Sequence, residues 1–472
     1  MAENGQRSAR MAAVADDRRV AAPLKRAPLS GWGRYPRCLT DIYRPEKFAE
    51  LAELITADPH QLVARGAGRA YGDAALNAPG RVIDVTRFNR MLAFDDATGL
   101  LRCEAGVTLG DIIDTFRPRG FFPVVTPGTR FITVGGAIAA DVHGKNHHRD
   151  SSIAAHLASV DVMLASGEIR RCSSGENAGL FHATAGGMGL TGVIVEAELK
   201  LRRIATAWIE SETVRAANID HAIEIFDRSD RLYDYSVGWI DCASAASALG
   251  RSVINFGNFA TLDQLDGKRR AAPLSLKPRR SLSVPIDFPG FALGPFTVTA
   301  FNELYFRTHR DTPRALIDCE RFFYPLDSIR DWNRVYGASG FVQYQCAWPM
   351  AESRAGLVET LEAIARSRRA SFLAVVKKFG AQDGLLSFPM PGYTLSLDFP
   401  MRPGLRPFLD QLDAMVLQRG GRLYLAKDAR MSPAMFHAGY PRLAEWRAVK
   451  AAVDPNNHFS SSLSRRLEMV PV

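Results

Sequence analysis

Short apolar runs rich in β-branched residues predict strands in the first two hundred residues. The clearest are RVIDV (81–85), LLRCEAGV (100–107), DVMLASGEIRRC (161–172) and TGVIVEAELKL (191–201). One amphipathic stretch lies among them, with Thr108 as its helix N-cap and Gly120 at its end. The pattern predicts a strand-rich, glycine-rich domain over residues 20–204, preceded by a mobile tail at 1–19.

The pattern changes after residue 205, where strand-like and helical segments alternate. YDYSVGWID and TLSLDFP have strand character, whereas SRAGLVETLEAIARSRR has helical periodicity. This alternation predicts a second α+β unit over 205–421, followed by a C-terminal segment, 422–472. Within the second unit, the basic and proline-containing stretch 266–285 has little periodicity and predicts a mobile surface loop.

Composition fits a water-soluble globular protein, with 47% hydrophobic and 23% charged residues. The net charge of +9 permits nucleic acid, an anionic membrane surface or a phosphate-bearing substrate as partner. Zinc-finger, RNP and basic heptad patterns are missing from the sequence, so nucleic acid is not expected. The N-terminus lacks a signal-peptide apolar core, and no apolar run has the length of a membrane span. We therefore expect a cytoplasmic protein or one attached peripherally at the inner membrane.

The six cysteines are scattered and form no C-x-x-C pair, so free thiols are expected rather than disulfides or a zinc site. Three other segments are dense in glycine. The first runs RGAGRAYGD over 65–73, and its glycines allow backbone N–H groups to approach a ligand closely. Its spacing is not that of a Rossmann fingerprint, and a plain tight loop is the alternative.

The second segment, 126–148, runs TPGTRFITVGGAIAADVHGKNHH, and the third, 185–192, runs AGGMGLTG. Small residues at 135–140 cannot fill a core, which predicts that a ligand lies against that backbone. His143, His147 and His148 raise the possibility of a metal, but no acidic residue or cysteine stands at ligand spacing, and the turn residues argue against a helix that would align them. No metal is expected. Together the three segments predict a cradle for a long, phosphate-bearing cofactor.

GRAYGD, TPGTRFITVGGAIAADVHGKNHH and GGMGLTG resemble the FAD-binding domain of the vanillyl-alcohol-oxidase (PCMH-type) flavoprotein family. The similarity continues through GWGR, KKFG, LSFPMPGY, LDFP, GGRLYLAKDAR and DPNNHFSSSLSRRLE, and so covers most of the chain. The resemblance implies an α+β fold in which a substrate domain is inserted into a two-part FAD domain. It also implies FAD as cofactor, held without a covalent link, because Arg69 and Ala70 stand where covalent members often carry the linking histidine.

The resemblance further implies the site residues. The cofactor contacts would be Arg65, Gly66, Ala67, Gly68, Arg69, Ala70, Tyr71, Gly72, Asp73, Gly128, Thr133, Val134, Gly135, Gly136, His143, Gly144, Lys145, Asn146, Ile194 and Tyr424. The catalytic residues would be Lys427, Tyr71 and His143, and the substrate side would include Gln345, Lys377, Thr394 and Ser396.

Oxidation of a secondary alcohol needs a hydride acceptor near the C–H bond and a base near the O–H group. Lys427 would serve as that base if burial kept it neutral, and Lys377 would anchor substrate phosphate or flavin charge. From the sequence alone, a surface lysine paired with Asp428 is the competing interpretation of Lys427. The resemblance favours the base.

One departure concerns the strand YTLSLDFP (393–400). Mycobacterial members of the resembling branch carry a cysteine where this chain has Ser396, and an asparagine where it has Thr394. In those enzymes the cysteine traps nitroaromatic benzothiazinone inhibitors after their reduction at the flavin. The difference affects the pocket and the sugar it accepts, and it leaves the redox chemistry unaffected.

The resemblance implies oxidation of the 2′-hydroxyl of a polyprenyl-phosphoryl-β-D-ribose to the 2′-keto sugar. A separate NAD(P)-dependent short-chain reductase would then complete epimerisation to the arabinose donor for cell-wall arabinan. The alternative is an FAD-dependent oxidase of a soluble sugar, alditol or aldonolactone. A membrane contact is expected through the basic stretch 266–285, because the implied substrate lies in a bilayer.

Overall fold

Three large β-sheets and one two-stranded sheet organise the computed structural model, which describes residues 25–277, 281–369 and 371–470. The predicted tail at 1–19 lies outside the described residues. The strands of the described residues are β1 Lys25–Ser30, β2 Arg37–Tyr43, β3 Leu62–Arg65, β4 Arg81–Asp84, β5 Met91–Asp95, β6 Leu100–Glu104, β7 Phe121–Pro123, β8 Leu157–Met163, β9 Ile169–Cys172, β10 Val193–Arg203, β11 Trp208–Ala216, β12 Tyr235–Ile240, β13 Ser252–Phe259, β14 Leu282–Ser283, β15 Thr312–Asp318, β16 Ile329–Arg330, β17 Phe341–Pro349, β18 Ala374–Phe379, β19 Gly392–Pro400 and β20 Arg422–Leu423.

The helices cover the faces of these sheets. They are α1 Phe48–Ala57, α2 Leu109–Phe116, α3 Val134–Ala139, α4 His147–Asp150, α5 Ala178–Thr184, α6 Ile219–Ser229, α7 Gly267–Ala271, α8 Pro295–Thr308, α9 Cys319–Phe323, α10 Met350–Ser367, α11 Leu405–Gln418, α12 Pro433–Gly439, α13 Leu443–Val453 and α14 Ser462–Arg466. None of the helices in the described part of the chain combines the length and apolar character needed to cross a bilayer.

The first two sheets are built from the N-terminal part of the chain. A four-stranded sheet has the order β1-β2-β4-β3, and a six-stranded sheet has the order β5-β6-β10-β8-β9 with β7 beside β10. Strand β10 pairs with three neighbours, and its residues alternate between buried and partly exposed, as expected for a strand with one face on a core. Helix α2 begins with a full capping box at Thr108, as the sequence predicts.

The third sheet has eight strands in the order β15-β11-β13-β12-β18-β19-β17-β20. Strand β17, which lies between β19 and the edge strand β20, is almost completely buried because helices α10 and α11 pack near it. The two residues of β20 pair with β17, so Arg422 and Leu423 belong to this sheet. The predicted division at 421/422 thus falls just before a strand of the eight-stranded sheet.

The C-terminal segment returns to the first sheet. Phe459 forms a parallel bridge with Leu62, whose backbone N–H donates to the His458 carbonyl at 2.8 Å. Arg466 in α14 forms a salt bridge with Asp73 at 2.7 Å. These contacts hold the chain end against the loop that follows β3. The structure is therefore a mixed α+β fold, and the predicted domain limits stay a prediction.

The structure corrects three local predictions. The run 161–172 is the hairpin β8–β9 rather than one strand, because Gly167 adopts a left-handed φ of +81° in the turn between them. The segment 126–148 contains the short helices α3 and α4, although its turn residues argued against a helix. The stretch 266–285 contains helix α7 and strand β14 on either side of the undescribed residues 278–280, so it is not simply a loop.

Candidate active site

A cavity of about 730 Å³ lies where the glycine-rich segments meet the eight-stranded sheet. All three predicted segments contribute to its wall. The predicted cofactor residues that line it are Gly66, Ala67, Gly68, Arg69, Ala70, Tyr71, Gly128, Thr133, Gly135, Gly136, His143, Gly144, Lys145, Ile194 and Tyr424. Tyr71, His143, Lys427, Gln345, Lys377 and Ser396 also line it, so the structure brings the predicted catalytic and substrate residues together.

Six predicted residues lie behind the cavity wall instead, namely Arg65, Gly72, Asp73, Val134, Asn146 and Thr394. The Arg65 side chain donates to the carbonyls of Ser30, at 2.7 Å, and Ala75, at 3.2 Å. Arg65 therefore supports the loop that the cavity-lining glycines form. Asp73 supports it as well through its salt bridge with Arg466.

The loop over 66–71 is fixed to the chain on either side of Lys427. The Tyr71 backbone N–H donates to the Ala426 carbonyl at 2.9 Å. A Cβ on Gly72 would lie 1.7 Å from the Asp428 carbonyl oxygen, so only glycine permits this approach. The loop and the 424–428 turn therefore form one wall, although 350 residues separate them in sequence.

Lys427 does not pair with Asp428. Asp428 forms a salt bridge with Arg466 at 2.8 Å, whereas the Lys427 Nζ lies 3.6 Å from the centre of the Tyr71 ring. Burial lowers the pKa of Lys427 to about 7, with Asp398 opposing this shift and Lys377 adding to it. The competing interpretation of a surface ion pair is therefore wrong. Burial thus favours the neutral amine of Lys427, which is the form that can accept a proton.

Asp398 is a buried carboxyl whose charge acts on Lys427, and the sequence did not single it out. It accepts hydrogen bonds from Gln343 Nε2 at 2.6 Å and from the Tyr336 hydroxyl at 2.9 Å. Burial raises the pKa of Asp398 to about 7, while those hydrogen bonds and Lys427 oppose the shift. Gln343 also lines the cavity, so it connects Asp398 to the site.

The sequence signal that could have identified Asp398 is the placement of polar residues at every second position of two strands. In β17 the polar Gln343 and Gln345 alternate with apolar residues, and in β19 Ser396 and Asp398 do the same. The strands pair antiparallel, with Gln343 opposite Asp398 and Gln345 opposite Ser396. Polar residues at alternate positions of two buried strands indicate a polar face directed at a ligand.

His143 lines the same cavity as the lysines. Its Nε2 is 3.1 Å from the Gln345 Nε2, and its Nδ1 is buried with no partner among the described residues. Burial lowers the pKa of His143 well below its usual value, and the nearby Lys377 adds to this. Gln345 Nε2 in turn donates to Thr394 Oγ1 at 3.3 Å, so the fully buried Thr394 contacts the cavity-lining Gln345.

Lys145 and Lys377 complete the polar end of the cavity. Burial lowers the pKa of Lys145 to about 7 and that of Lys377 to about 8. Neither forms a salt bridge with a described carboxylate, and Lys145 Nζ donates to the Phe322 carbonyl. Buried amines without a carboxylate partner suit an anionic ligand, such as a phosphate. In the described ranges, no group of three potential metal ligands comes together.

Comparison with known proteins agrees with this geometry. The model of the FAD binding domain family matches residues 42–173. The decaprenylphosphoryl-beta-D-ribose oxidase of Mycolicibacterium smegmatis is 38% identical over 455 residues, which cover 95% of this chain and 99% of that protein. The chain belongs to the decaprenylphosphoryl-β-D-ribose oxidase family.

Two further relatives show how the similarity is distributed over the chain. An uncharacterized protein of Streptomyces coelicolor, from the mprA 5′ region, is 34% identical over 76% of this chain and 100% of its own length. A D-lactate dehydrogenase of Anaerostipes hadrus is 26% identical over 35% of this chain and 36% of its own length. Full-length similarity is thus found with the oxidase, whereas the dehydrogenase matches about a third of the chain.

As a member of this oxidase family, the chain is an FAD-dependent oxidoreductase, and its residues fit that cofactor. In the described chain, the backbone N–H groups of residues 66–70 donate to no protein acceptor. A Cβ on Gly128 or Gly189 would meet no atom within 4 Å, so both glycines border open space in the cavity. Thr126 Oγ1, two residues before Gly128, is buried and has no hydrogen-bond partner among the described residues. Free N–H groups and open glycines are what a diphosphate needs.

Proposed function

We propose that this oxidoreductase oxidises the 2′-hydroxyl of a polyprenyl-phosphoryl-β-D-ribose to the ketone, with FAD bound non-covalently. The identity to the mycobacterial oxidase over nearly the whole chain carries this proposal. When bound, FAD supplies the acceptor for the hydride that leaves C2′. Lys427 takes the hydroxyl proton, so one hydride and one proton leave the sugar and a C=O bond forms.

The remaining groups orient the substrate. A phosphate bound beside Lys377 and Lys145 raises their pKa values and keeps both amines positive. Tyr71 packs against Lys427, and the charge of Asp398 raises the pKa of Lys427. His143 is held neutral by burial and, with Gln345, orients the sugar hydroxyls. Thr394 and Ser396 are both predicted to bind substrate, and their positions differ, because Ser396 reaches the cavity while Thr394 contacts Gln345 from behind.

The apolar end of the cavity favours a lipid-linked sugar over the soluble sugars, alditols and aldonolactones that form the alternative. Beyond the lysines, the wall is made by Trp239, Phe301, Tyr305, Phe372 and Leu373. A free sugar would leave these side chains in contact with water, whereas a polyprenyl chain would bury them.

Anaerobic reduction of the flavin tests the proposal. We expect a short-chain farnesyl-phosphoryl ribose to bleach the flavin absorbance of the purified protein. Ribose 5-phosphate and an alditol serve as controls, and neither should bleach it at the same concentration. Equal reduction by the alditol and the lipid-linked sugar would favour the soluble-sugar alternative.

We further propose that the 2′-keto product is passed to a separate NAD(P)-dependent short-chain reductase. The G-x-G-x-x-G spacing of Gly187, Gly189 and Gly192 precedes strand β10 instead of following a strand and opening a helix, so it is not a Rossmann dinucleotide fingerprint. We therefore expect a second protein to supply the hydride that completes epimerisation. Accumulation of ketone by the purified oxidase, with no arabinose epimer until a reductase is added, is the expected result.

A further inference from the structure

An exposed apolar surface lies next to the apolar end of the cavity. Eight of the fifteen large apolar side chains that are exposed in the described residues fall between 282 and 329. We call six of them the α8 surface, because they lie on or just before helix α8: Leu282, Ile286, Phe288, Phe291, Phe296 and Leu304. Phe291 and Phe296 are 80% and 84% exposed, which is unusual for phenylalanine in a water-soluble protein.

The chain before α8 is held by specific contacts. Asp287 forms salt bridges with Arg34 at 2.6 Å and with Arg334 at 3.1 Å. Arg402 donates to the carbonyls of Gly290 and, at 3.0 Å, Leu293. These contacts fix the backbone on both sides of Phe291 and leave its ring directed away from the core.

Helix α8 connects this surface to the cavity. Phe301, Tyr305 and His309 follow one another at intervals of four residues and line the cavity. The Tyr305 ring lies 4.5 Å from Trp239, and the Phe301 ring lies 5.6 Å from Phe372. Phe296 lies on the opposite side of the helix and Leu304 on its flank, and both are exposed. One helix thus has one apolar face in the site and another facing outward.

Positive charge borders the α8 surface. Arg310 follows the end of α8, and Arg330 lies beside Ser283 in the β14–β16 pair. Both are exposed and form no salt bridge with the described residues. Exposed aromatic residues, with one unpaired arginine after the end of α8 and another beside β14, match the chemistry of an anionic bilayer surface, where rings enter the interface and arginines meet lipid phosphates.

We propose that the α8 surface docks on an anionic lipid bilayer and that the polyprenyl chain reaches the cavity along α8. This inference rests on the proposed function for the lipid-linked substrate. It differs from the sequence expectation, which assigned the membrane contact to the basic stretch 266–285. Contact through Phe291 and Phe296 places the cavity mouth at the membrane, so the substrate need not leave the lipid phase.

Vesicle flotation of the FAD-loaded full chain tests the contact. The test variant is Phe291→Ser with Phe296→Ser, and phosphatidylcholine–phosphatidylserine vesicles are the probe. The matched control is Leu39→Ser with Leu232→Ser, whose leucines are 55% and 65% exposed elsewhere. Loss of the two phenyl rings that enter the bilayer should weaken vesicle binding roughly tenfold or more, and the control should bind as the unmodified protein does. Equal binding by the test variant would overturn the proposal.

Activity separates this proposal from the proposed function. The test variant should oxidise a water-soluble short-chain lipid-phosphoryl ribose at the normal rate and a vesicle-embedded one slowly. If the unmodified protein oxidises neither substrate, the proposed function fails, and flotation still decides the docking. Binding that survives in the test variant and disappears in high salt would assign the contact to 266–285. A variant that loses a protein partner but keeps vesicle binding would make the surface a protein interface.

Discussion

At the scale of single residues, the site depends on how burial adjusts charge. Three lysines share one cavity, yet only Lys427 lies against the Tyr71 ring and near Asp398. The sequence placed Lys427 beside Asp428 and left two interpretations open. The sequence could not show that Asp428 forms a salt bridge with Arg466, because the two residues are 38 positions apart and meet only after the C-terminal segment folds back.

Lys427→Ala should retain flavin and lose turnover. The loss of a general base typically slows a reaction by about 10²–10⁴-fold. Lys378→Ala is the control, because Lys378 is the neighbour of Lys377 but points to a salt bridge with Asp227 at 2.7 Å instead of the cavity. Single-turnover flavin reduction measures the rate of the chemical step in both variants. A flavin-loaded Lys427→Ala protein with normal turnover would exclude the base role.

Asp398→Asn should shift the pH profile to lower pH. Lys427 must be neutral to accept a proton, so kcat/KM rises as pH increases through the Lys427 pKa of about 7. Asp398 raises that pKa, so removing its charge allows Lys427 to lose its proton at a lower pH. The measurement is kcat/KM from pH 5 to 9, with the flavin spectrum as a check on folding. An acid limb that stays in place would show that Asp398 does not act on Lys427.

Ser396 should prevent covalent trapping of nitroaromatic benzothiazinones. A hydroxyl is a far poorer nucleophile than a thiol, which is partly thiolate at neutral pH. Ser396 lines the cavity, so Ser396→Cys should gain an adduct and still oxidise substrate. Thr394→Cys is the control, because position 394 is fully buried behind the wall. Intact-mass spectrometry after turnover decides, and an adduct on the unmodified protein at Ser396 would contradict the argument.

At the scale of elements, the sequence predicts helix starts and strands correctly where the residue types favour a single local structure. The capping box at Thr108 and the strand at β10 follow directly from local sequence. The hairpin β8–β9 was missed because its turn contains a single glycine inside an otherwise strand-like run. Helix α3 was missed because its glycines are poor helix formers, and it forms through tertiary contacts such as the Gly135 N–H to the Ala105 carbonyl at 2.8 Å.

Two glycines of the candidate cradle should respond differently to alanine. Gly72→Ala places a Cβ against the Asp428 carbonyl, so it should lower the stability of the protein by about 1–3 kcal/mol. Gly128→Ala meets no protein atom, so it should keep stability and reduce flavin occupancy, since its Cβ enters the cavity. Thermal unfolding and the flavin-to-protein absorbance ratio measure the two effects. Equal loss of stability in both variants would contradict the assignment of Gly128 to the ligand side.

At the scale of the whole molecule, the site is assembled from parts that are distant in sequence. The loop 66–71, the segment 126–145, strands β17 to β19 and the 424–428 turn all meet at one cavity. Patterning predicted the elements, but only the resemblance of spaced motifs to a known family predicted that they converge. The α8 surface escaped prediction for a related reason, since apolar residues in a sequence carry no sign of whether the fold buries them.

The flavin should be released intact when the protein unfolds. Arg69 stands where a linking histidine would be expected, and its guanidinium lies 4.1 Å above the Trp32 ring. In the described residues no cysteine lines the cavity, and His143 Nε2 lies 3.1 Å from Gln345 Nε2. Acid precipitation should therefore leave FAD fluorescence in the supernatant, whereas flavin in the pellet or a flavinylated peptide would contradict a non-covalent site. Because a ligand bound only to the folded state stabilises it, by about 2.7 kcal/mol at a hundredfold excess over Kd, the flavin-free protein should also unfold at a lower temperature.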